Sequence, residues 1–399
     1  MEEARSLIEF DPFSEAYFDD PFPIYTRMRN EAPDLYLEAY DCFFLSRFED
    51  IWQAVSDPRF SHRRGTNSQD LLVGQMPQRA LSNLVPPEHT ALRKTLAPYF
   101  TLNAAKRMES GVRADARGLL ESHLDRGELD VIADLGARVA ARVIFRLIGL
   151  PLEDADAVIA DVADVFDRAP GIDGPTEKAL AAMARVQRYL SEAVDERMAS
   201  PGEGDLLAEL ARFEWQGRRY EADELIANLY LFVIGGTETL PKVLSGTLQQ
   251  LVLHPDQRAE VAADPSLAQH AFWEGLRYEM PTLMLGASAE EDAEICGGTR
   301  VRKGQRLMHL WASANRDERE FEDPDRFDIH RRAPRILSFN HATHRCLGAN
   351  FAQMEGRVML EEILAIAPHY EVVEDRVVRL RSEFFRGFKV FPIRLVDAT

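Results

Sequence analysis

The chain has 399 residues, 46% of them hydrophobic, and a formal net charge of −19. An acidic balance of that size argues against non-specific nucleic-acid binding, because phosphates repel it. The cysteines Cys42, Cys296 and Cys346 are widely spaced and form neither a disulfide framework nor a zinc pattern, and the N-terminus lacks the apolar run of a signal peptide, transit peptide or membrane span, so a reducing cytoplasm is expected.

Length alone would allow two or three domains. No Gly-, Pro- or Ser-rich linker, repeat or low-complexity tract interrupts the pattern, so one α-rich domain over residues 1–399 is expected. Its β-rich pieces fall near 35–46, 283–310 and 370–396. Arg47 to Asp57 reads as a short helix ending before Pro58. Ser61 to Leu84 has no sustained period, and a long loop of that kind usually has a use. Its apolar members Leu71, Leu72, Val73 and Met76 either line a pocket or tuck beneath the loop. Pro86-Pro87 opens a helix with Glu88 at its positive end. His89 and Arg93, four apart, project from one face of it, as a solvated face or as a binding pair.

Leu102 to Arg197 reads as helix, broken at Pro151 and around Ala169–Pro175. Phe213 to Tyr220 forms a small hairpin through Gln216-Gly217. Glu221 to His254 is the longest helical stretch, with apolar residues on more than one stripe, which suits a helix buried through the middle of a domain. Its centre carries Gly235-Gly236-Thr237-Glu238-Thr239-Leu240-Pro241. Each glycine costs a helix about 1 kcal/mol and the proline about 3, so this stretch serves either close packing or a site. Pro241 has no N–H, so the Thr237 carbonyl loses its helical partner, the helix bends, and the carbonyl is free to hold a water. His270 to Tyr278 is a helix pairing Glu274 with Arg277 on one face. Tyr370 to Val396 reads as strands, with a hairpin tip at Phe384–Phe388.

The most informative stretch is Ser338 to Glu355. A loop delivers Cys346 to the first turn of a helix running from about Leu347 to Ala367. There the helix dipole and unpaired N–H groups favour a thiolate, the form that binds metal or attacks an electrophile. Gly348 lets a flat, bulky group approach the backbone closely. The other reading of Cys346 is a buried, inert thiol.

Phe339, His344, Cys346, Gly348 and Ala352 stand in the spacing of the haem-binding signature of the cytochrome P450 family, Phe-Gly-x-Gly-x-His-x-Cys-x-Gly-x-x-x-Ala, which this stretch resembles. Asn340 and Ala342 replace its two glycines. Asn tolerates a positive φ and Ala pays a modest strain for it. The resemblance extends from about Asp11 to Leu395. It implies a mainly α fold with small β-sheets, a single large domain and haem b, with Cys346 as the axial iron ligand. It also implies that His89, Arg93 and His344 grip the haem propionates. Gly235, Gly236, Glu238 and Thr239 match the family's oxygen motif, with Glu238 linking Thr239 to a proton source. Glu274, Arg277 and Arg326 match a buried network under the cysteine loop. The family's propionate arginine falls here on Ala287, which leaves that carboxylate to His89, Arg93, His344 or water.

The implied activity is that of a bacterial haem-thiolate monooxygenase of secondary metabolism. It inserts one oxygen atom from O2, by hydroxylation or epoxidation, into a mainly hydrophobic small organic substrate. Pocket candidates are Leu71, Met76, Phe232, Leu283, Met284, Phe384 and Phe385. No flavin- or nicotinamide-binding pattern appears, so electrons come from a separate ferredoxin- or flavodoxin-type donor with its reductase, and the protein is expected to be a monomer. His330, Arg331, Arg332, Arg335 and Arg345 form either a docking patch for that donor or a solvated basic face. Rival readings are a peroxide-driven, dehydrating or coupling enzyme on the same fold, a non-catalytic haem-thiolate sensor or carrier, and a helical scaffold without haem.

Overall fold

Short, mostly apolar runs, buried along most of their length, form Asp34–Leu37 (β1), Cys42–Leu45 (β2), Phe60–Ser61 (β3), Met284–Ala289 (β4) and Arg306–Leu310 (β5), which make one five-stranded sheet in the order β1-β2-β5-β4-β3. The computed structural model describes residues 8–200 and 202–396, and the expectation for the N-terminal Met1–Ser6 lies outside them. β5 runs parallel to β2 and antiparallel to β4. The register sets Leu307 opposite Ala287 and His309 opposite Leu285, while β3 sets Phe60 opposite Ala289 and Ser61 opposite Ser288.

The helices that build the site are Glu88–Leu96 (α1), Ala137–Ile148 (α2), Ala222–Thr237 (α3), Thr239–Leu253 (α4), Ala268–Tyr278 (α5) and Ala349–Ile366 (α6). Small residues let α4, α5 and α6 close on one another. A Cβ at Gly275 would strike Thr247 of α4, and one at Gly356 would strike Phe272 of α5. One buried apolar cluster runs from Ile8 to Ile393. Among the described residues no helix is long and apolar enough to cross a membrane.

Three expectations change in detail. The stretch 221–254 is two helices, α3 and α4, separated at Glu238. Thr237, whose carbonyl Pro241 cannot serve, is the last residue of α3. Pro241 has a packing role as well, since a Cβ added at Gly136 would lie 3.0 Å from its ring. The stretch read as helix from Leu102 to Arg197 also contains a strand, Glu128–Asp130, paired with Pro392–Arg394. Three residues show no period of their own, so a distant partner decides their state. Finally, α6 starts at Ala349 with Gly348 as its N-cap, so Cys346 lies in the loop just before the helix.

Candidate active site

The cysteine loop folds back on itself before it reaches α6. The Cys346 N–H donates to the Phe339 carbonyl at 2.7 Å, and the Asn340 N–H to the Leu337 carbonyl at 2.9 Å. Asn340 and Ala342 both adopt left-handed backbone, with φ of 56° and 54°. The loop thus holds left-handed backbone at both positions without glycine, and Ala342 carries the strain. Ala342→Gly is expected to stabilise the fold by about 1 kcal/mol, read as a rise in thermal midpoint.

Cys346 is exposed onto an internal cavity of about 560 Å³. Burial pushes its thiol pKa up. The N–H groups of Gly348 and Ala349 and the charges of Arg93 and Arg345 act the other way, toward thiolate. Around the cavity the unfilled demands are specific. His89 is buried with neither ring nitrogen hydrogen-bonded. The His344 ring packs 4.2 Å from that of His89 and 4.0 Å from that of His62, and Arg93 Nη2 donates to the Arg345 carbonyl at 2.6 Å. Burial above all, with repulsion from Arg93 at His89 and from neighbouring imidazoles at His62 and His344, pushes these rings down, to about 4 for His62 and His89 and about 2 for His344, so all three are neutral near pH 7. An exposed sulfur facing a cavity, with orphaned imidazoles and an arginine beside it, fits an iron porphyrin whose carboxylates need partners.

On another wall of the cavity the two glycines of α3 divide their tasks. Gly235 has open space where a Cβ would stand, whereas a Cβ at Gly236 would lie 3.2 Å from Ile144 of α2. Thr239 lines the cavity, and its hydroxyl donates to the Gly235 carbonyl at 3.2 Å. Glu238 does not line it. Its carboxylate accepts from Lys242 Nζ at 2.5 Å, and both side chains are buried. Lys242 Nζ in turn lies 5.4 Å from the centre of the Phe385 ring.

The buried network under the loop needs a correction. Glu274 receives Arg277 through two hydrogen bonds, of 2.9 and 2.7 Å, but its second arginine is Arg331, at 3.1 Å. Arg326 points outward, 63% exposed, and pairs with Asp328. Only its backbone joins the network, accepting from Arg277 and Arg331. The run His330-Arg331-Arg332 was visible in sequence, but nothing there distinguished a buried arginine from surface ones. The same finding shrinks the basic patch. Arg331 is spent in the core, Arg335 is paired with Glu320 and Glu49, and His330 with Glu260. Arg332 and Arg345 remain exposed.

Of the pocket candidates, Phe232, Phe384, Phe385 and Met76 line the cavity, with Met76 89% exposed at its rim. Leu71, Leu283 and Met284 do not. They are buried elsewhere, Leu71 against Gly286 of the sheet, while Thr282 and Leu285 on either side of the Leu283–Met284 pair line the cavity; apolar character alone does not say whether a buried side chain meets the cavity or the core. Polar residues that the sequence reading missed also reach the cavity. Arg168 lies 3.2 Å from the fully buried Glu383, which accepts from Ser68 and Gln69. The Tyr230 hydroxyl and Gln69 Oε1 have no partner.

Glu355 of α6 was missed as well. It lines the cavity, its Oε2 is unpartnered, and burial raises its pKa well above that of an ordinary carboxylate. The folded chain therefore holds a proton that the unfolded chain releases above its usual pKa. Stability from this group is complete at low pH and is lost as pH rises. Glu355→Gln is expected to raise the thermal midpoint at pH 8 more than at pH 5, with the difference vanishing as pH falls toward 4.5, the ordinary value for glutamate.

Comparison with known proteins agrees with this geometry. A family model described as "Cytochrome P450" matches residues 155–372. The chain is 33% identical over 387 residues to the putative cytochrome P450 123 of Mycobacterium tuberculosis, covering 96% of each. It is 31% identical over 395 residues to the vitamin D(3) 25-hydroxylase of Pseudonocardia autotrophica, covering 97% of this chain and 96% of that one. Among solved structures, a cytochrome P450 bound to epothilone D superposes with a TM-score of 0.85 at 26% identity, over 98% of this chain and 100% of that one. Matched by the family model over more than half its length and by relatives above 30% identity over nearly all of it, the chain belongs to the cytochrome P450 family of haem-thiolate monooxygenases.

Proposed function

We propose that this enzyme inserts one atom of O2 into a substrate with a large apolar body and at least one hydrogen-bonding group. The observation that carries this is the opening of the Cys346 sulfur and the Thr239 hydroxyl onto the same cavity, beside the uncovered backbone of Gly235. When bound, haem supplies the redox chemistry that splits dioxygen between the substrate and water.

The chain's own residues do the rest. Cys346 supplies a thiolate, sustained by the N–H groups of Gly348 and Ala349. Thr239 turns its hydroxyl from the Gly235 carbonyl, where it rests, to pass its proton inward, and takes a replacement proton from the Glu238 side. Glu238, held by Lys242 off the cavity wall, is the proton reserve behind it. His89, Arg93 and His344 bind the cofactor's carboxylates. Phe232, Phe384 and Phe385 exclude water and press on the substrate's apolar body. The unpartnered Tyr230 hydroxyl and Gln69 Oε1 take its polar group, since a substrate oxygen or N–H would satisfy them. Relatives named for vitamin D(3) hydroxylation, or solved with epothilone D or erythromycin B, support a substrate of steroid or macrolide size. Electrons come from a ferredoxin- or flavodoxin-type protein and its reductase. The enzyme works as a cytoplasmic monomer, and Arg332 and Arg345 are the remaining charges for docking.

Thr239→Ala tests the reading. With a ferredoxin–reductase pair, product per electron consumed is expected to fall roughly a hundredfold, within the usual range for a lost proton-transfer group. The reduced, carbon monoxide-treated spectrum should not change. Undiminished coupling in the variant, or turnover by the parent only with peroxide, would exclude the dioxygen route.

A further inference from the structure

In this family-like architecture the strand position now held by Ala287 is where a cation was expected. Ala287 is buried and flanked by Leu307 on β5, so nothing charged occupies the place. Two histidines surround it. β3 pairs with β4 as far as Ser61 opposite Ser288, and His62 leaves the sheet at the next residue, one position short of Ala287. On the other side, His309 of β5 is opposite Leu285. Residues two apart on a strand share a face, so His309 and position 287 look the same way. Leu285 and His309 both line the cavity.

The two rings differ in what they have to offer. His62 Nδ1 lies 3.2 Å from the Ser82 carbonyl, a partner that takes its N–H and leaves its other nitrogen without a proton in the neutral ring. His309 is buried, and its Nε2 has no partner at all. A buried imidazole nitrogen left unsatisfied beside a cavity is costly unless a ligand completes it. His309 also belongs to the same cluster as the residues already assigned to the cofactor's carboxylates. It feels the charge of His62, and His62 packs on His344, which packs on His89.

We infer that His309 replaces the arginine absent at position 287 and donates a hydrogen bond to a haem carboxylate, with His62 as the ring that packs beside it. The inference rests on the haem-binding reading above. His309 is held neutral, down to about 3, by burial and by the neighbouring His62, so it acts as a neutral donor and the site carries less positive charge than an arginine would bring. It is a positioning residue for the cofactor and takes no part in the reaction.

The test is the rate at which ferric enzyme loses haem to an excess of apomyoglobin, with the iron midpoint potential measured alongside. His309→Leu is expected to speed haem loss roughly ten- to hundredfold, the range for removing a hydrogen bond to a charged group. His309→Gln keeps a donor in a similar volume and should stay near the parent rate. His62→Leu should have the smaller effect of the two leucine variants. Adding Ala287→Arg to His309→Leu should restore slow haem loss and shift the potential, because a donor returns to the same sheet face.

Haem loss unchanged in His309→Leu would overturn the inference. So would Gln and Leu variants that lose haem equally fast, which would mean that the ring only packs. If Ala287→Arg does not fold, the comparison of Gln with Leu decides alone. The parent's reduced, carbon monoxide-treated spectrum separates the two layers of argument. A parent without the thiolate-type Soret band sinks the haem-thiolate assignment. A parent with that band and an indifferent His309→Leu sinks only the inference.

Discussion

Cys346→Ser is expected to abolish the strongly red-shifted Soret band of the reduced, carbon monoxide-treated protein and to bring oxygenation down to the rate of free haem. The loop explains why the loss should be local. Its turns are made by backbone bonds, from Cys346 N–H to Phe339 and from Asn340 N–H to Leu337, and neither uses the sulfur. The variant should therefore fold, and its far-ultraviolet circular dichroism should match the parent's. A serine hydroxyl is far less acidic than a thiol, so the Gly348 and Ala349 N–H groups that favour thiolate cannot produce an equivalent anion there. Haem that still enters would be held by its carboxylate partners and the apolar walls, and would show an unshifted band. A variant that kept the shifted band would remove Cys346 from the iron.

The second large effect concerns stability. Glu274 is buried between Arg277 and Arg331 and also accepts from the Asp328 N–H. Glu274→Ala leaves the fully buried Arg277 guanidinium without its carboxylate, and stranding one member of a buried ion pair costs about 3–5 kcal/mol. Arg331→Ala removes one charge-assisted hydrogen bond to that carboxylate, together with its bonds to backbone carbonyls, and should cost about 1.5–3 kcal/mol. Arg326→Ala, at an exposed side chain, should change stability by less than about 0.5 kcal/mol. Thermal melts of the three variants would rank them in that order. Equal effects for Arg326 and Arg331 would contradict the network as drawn.

The contrast between those arginines shows where sequence reading stops. Glu274 and Arg277 are three apart on one helix, so their pairing follows from helical geometry. The third member comes from a loop, where no period says which of several arginines turns inward. The same holds for the pocket. Phe384 and Phe385 were legible as the tip of a terminal hairpin. Leu283 and Met284 were assigned to the cavity from their apolar character, whereas the fold buries both and turns their neighbours Thr282 and Leu285 to the cavity. Arg168, Glu383 and the Ser68–Gln69 pair lie in three segments far apart in the chain and carry no common pattern, so their meeting beside the cavity was invisible.

The sequence by itself determined the local chemistry: a cysteine at the start of a helix, a glycine pair and a proline that disturb the long helical stretch, Glu274 paired with Arg277, and His89 one turn from Arg93. Each follows from spacings of a few residues, over which backbone geometry is rigid. Only the tertiary structure decided which glycine faces the cavity and which packs on Ile144, that Glu238 turns to Lys242, that Arg331 rather than Arg326 is buried, and that His309 stands on the face that Ala287 leaves bare. Those outcomes depend on the register and packing of segments far apart in the chain, which are set by the burial of the whole core.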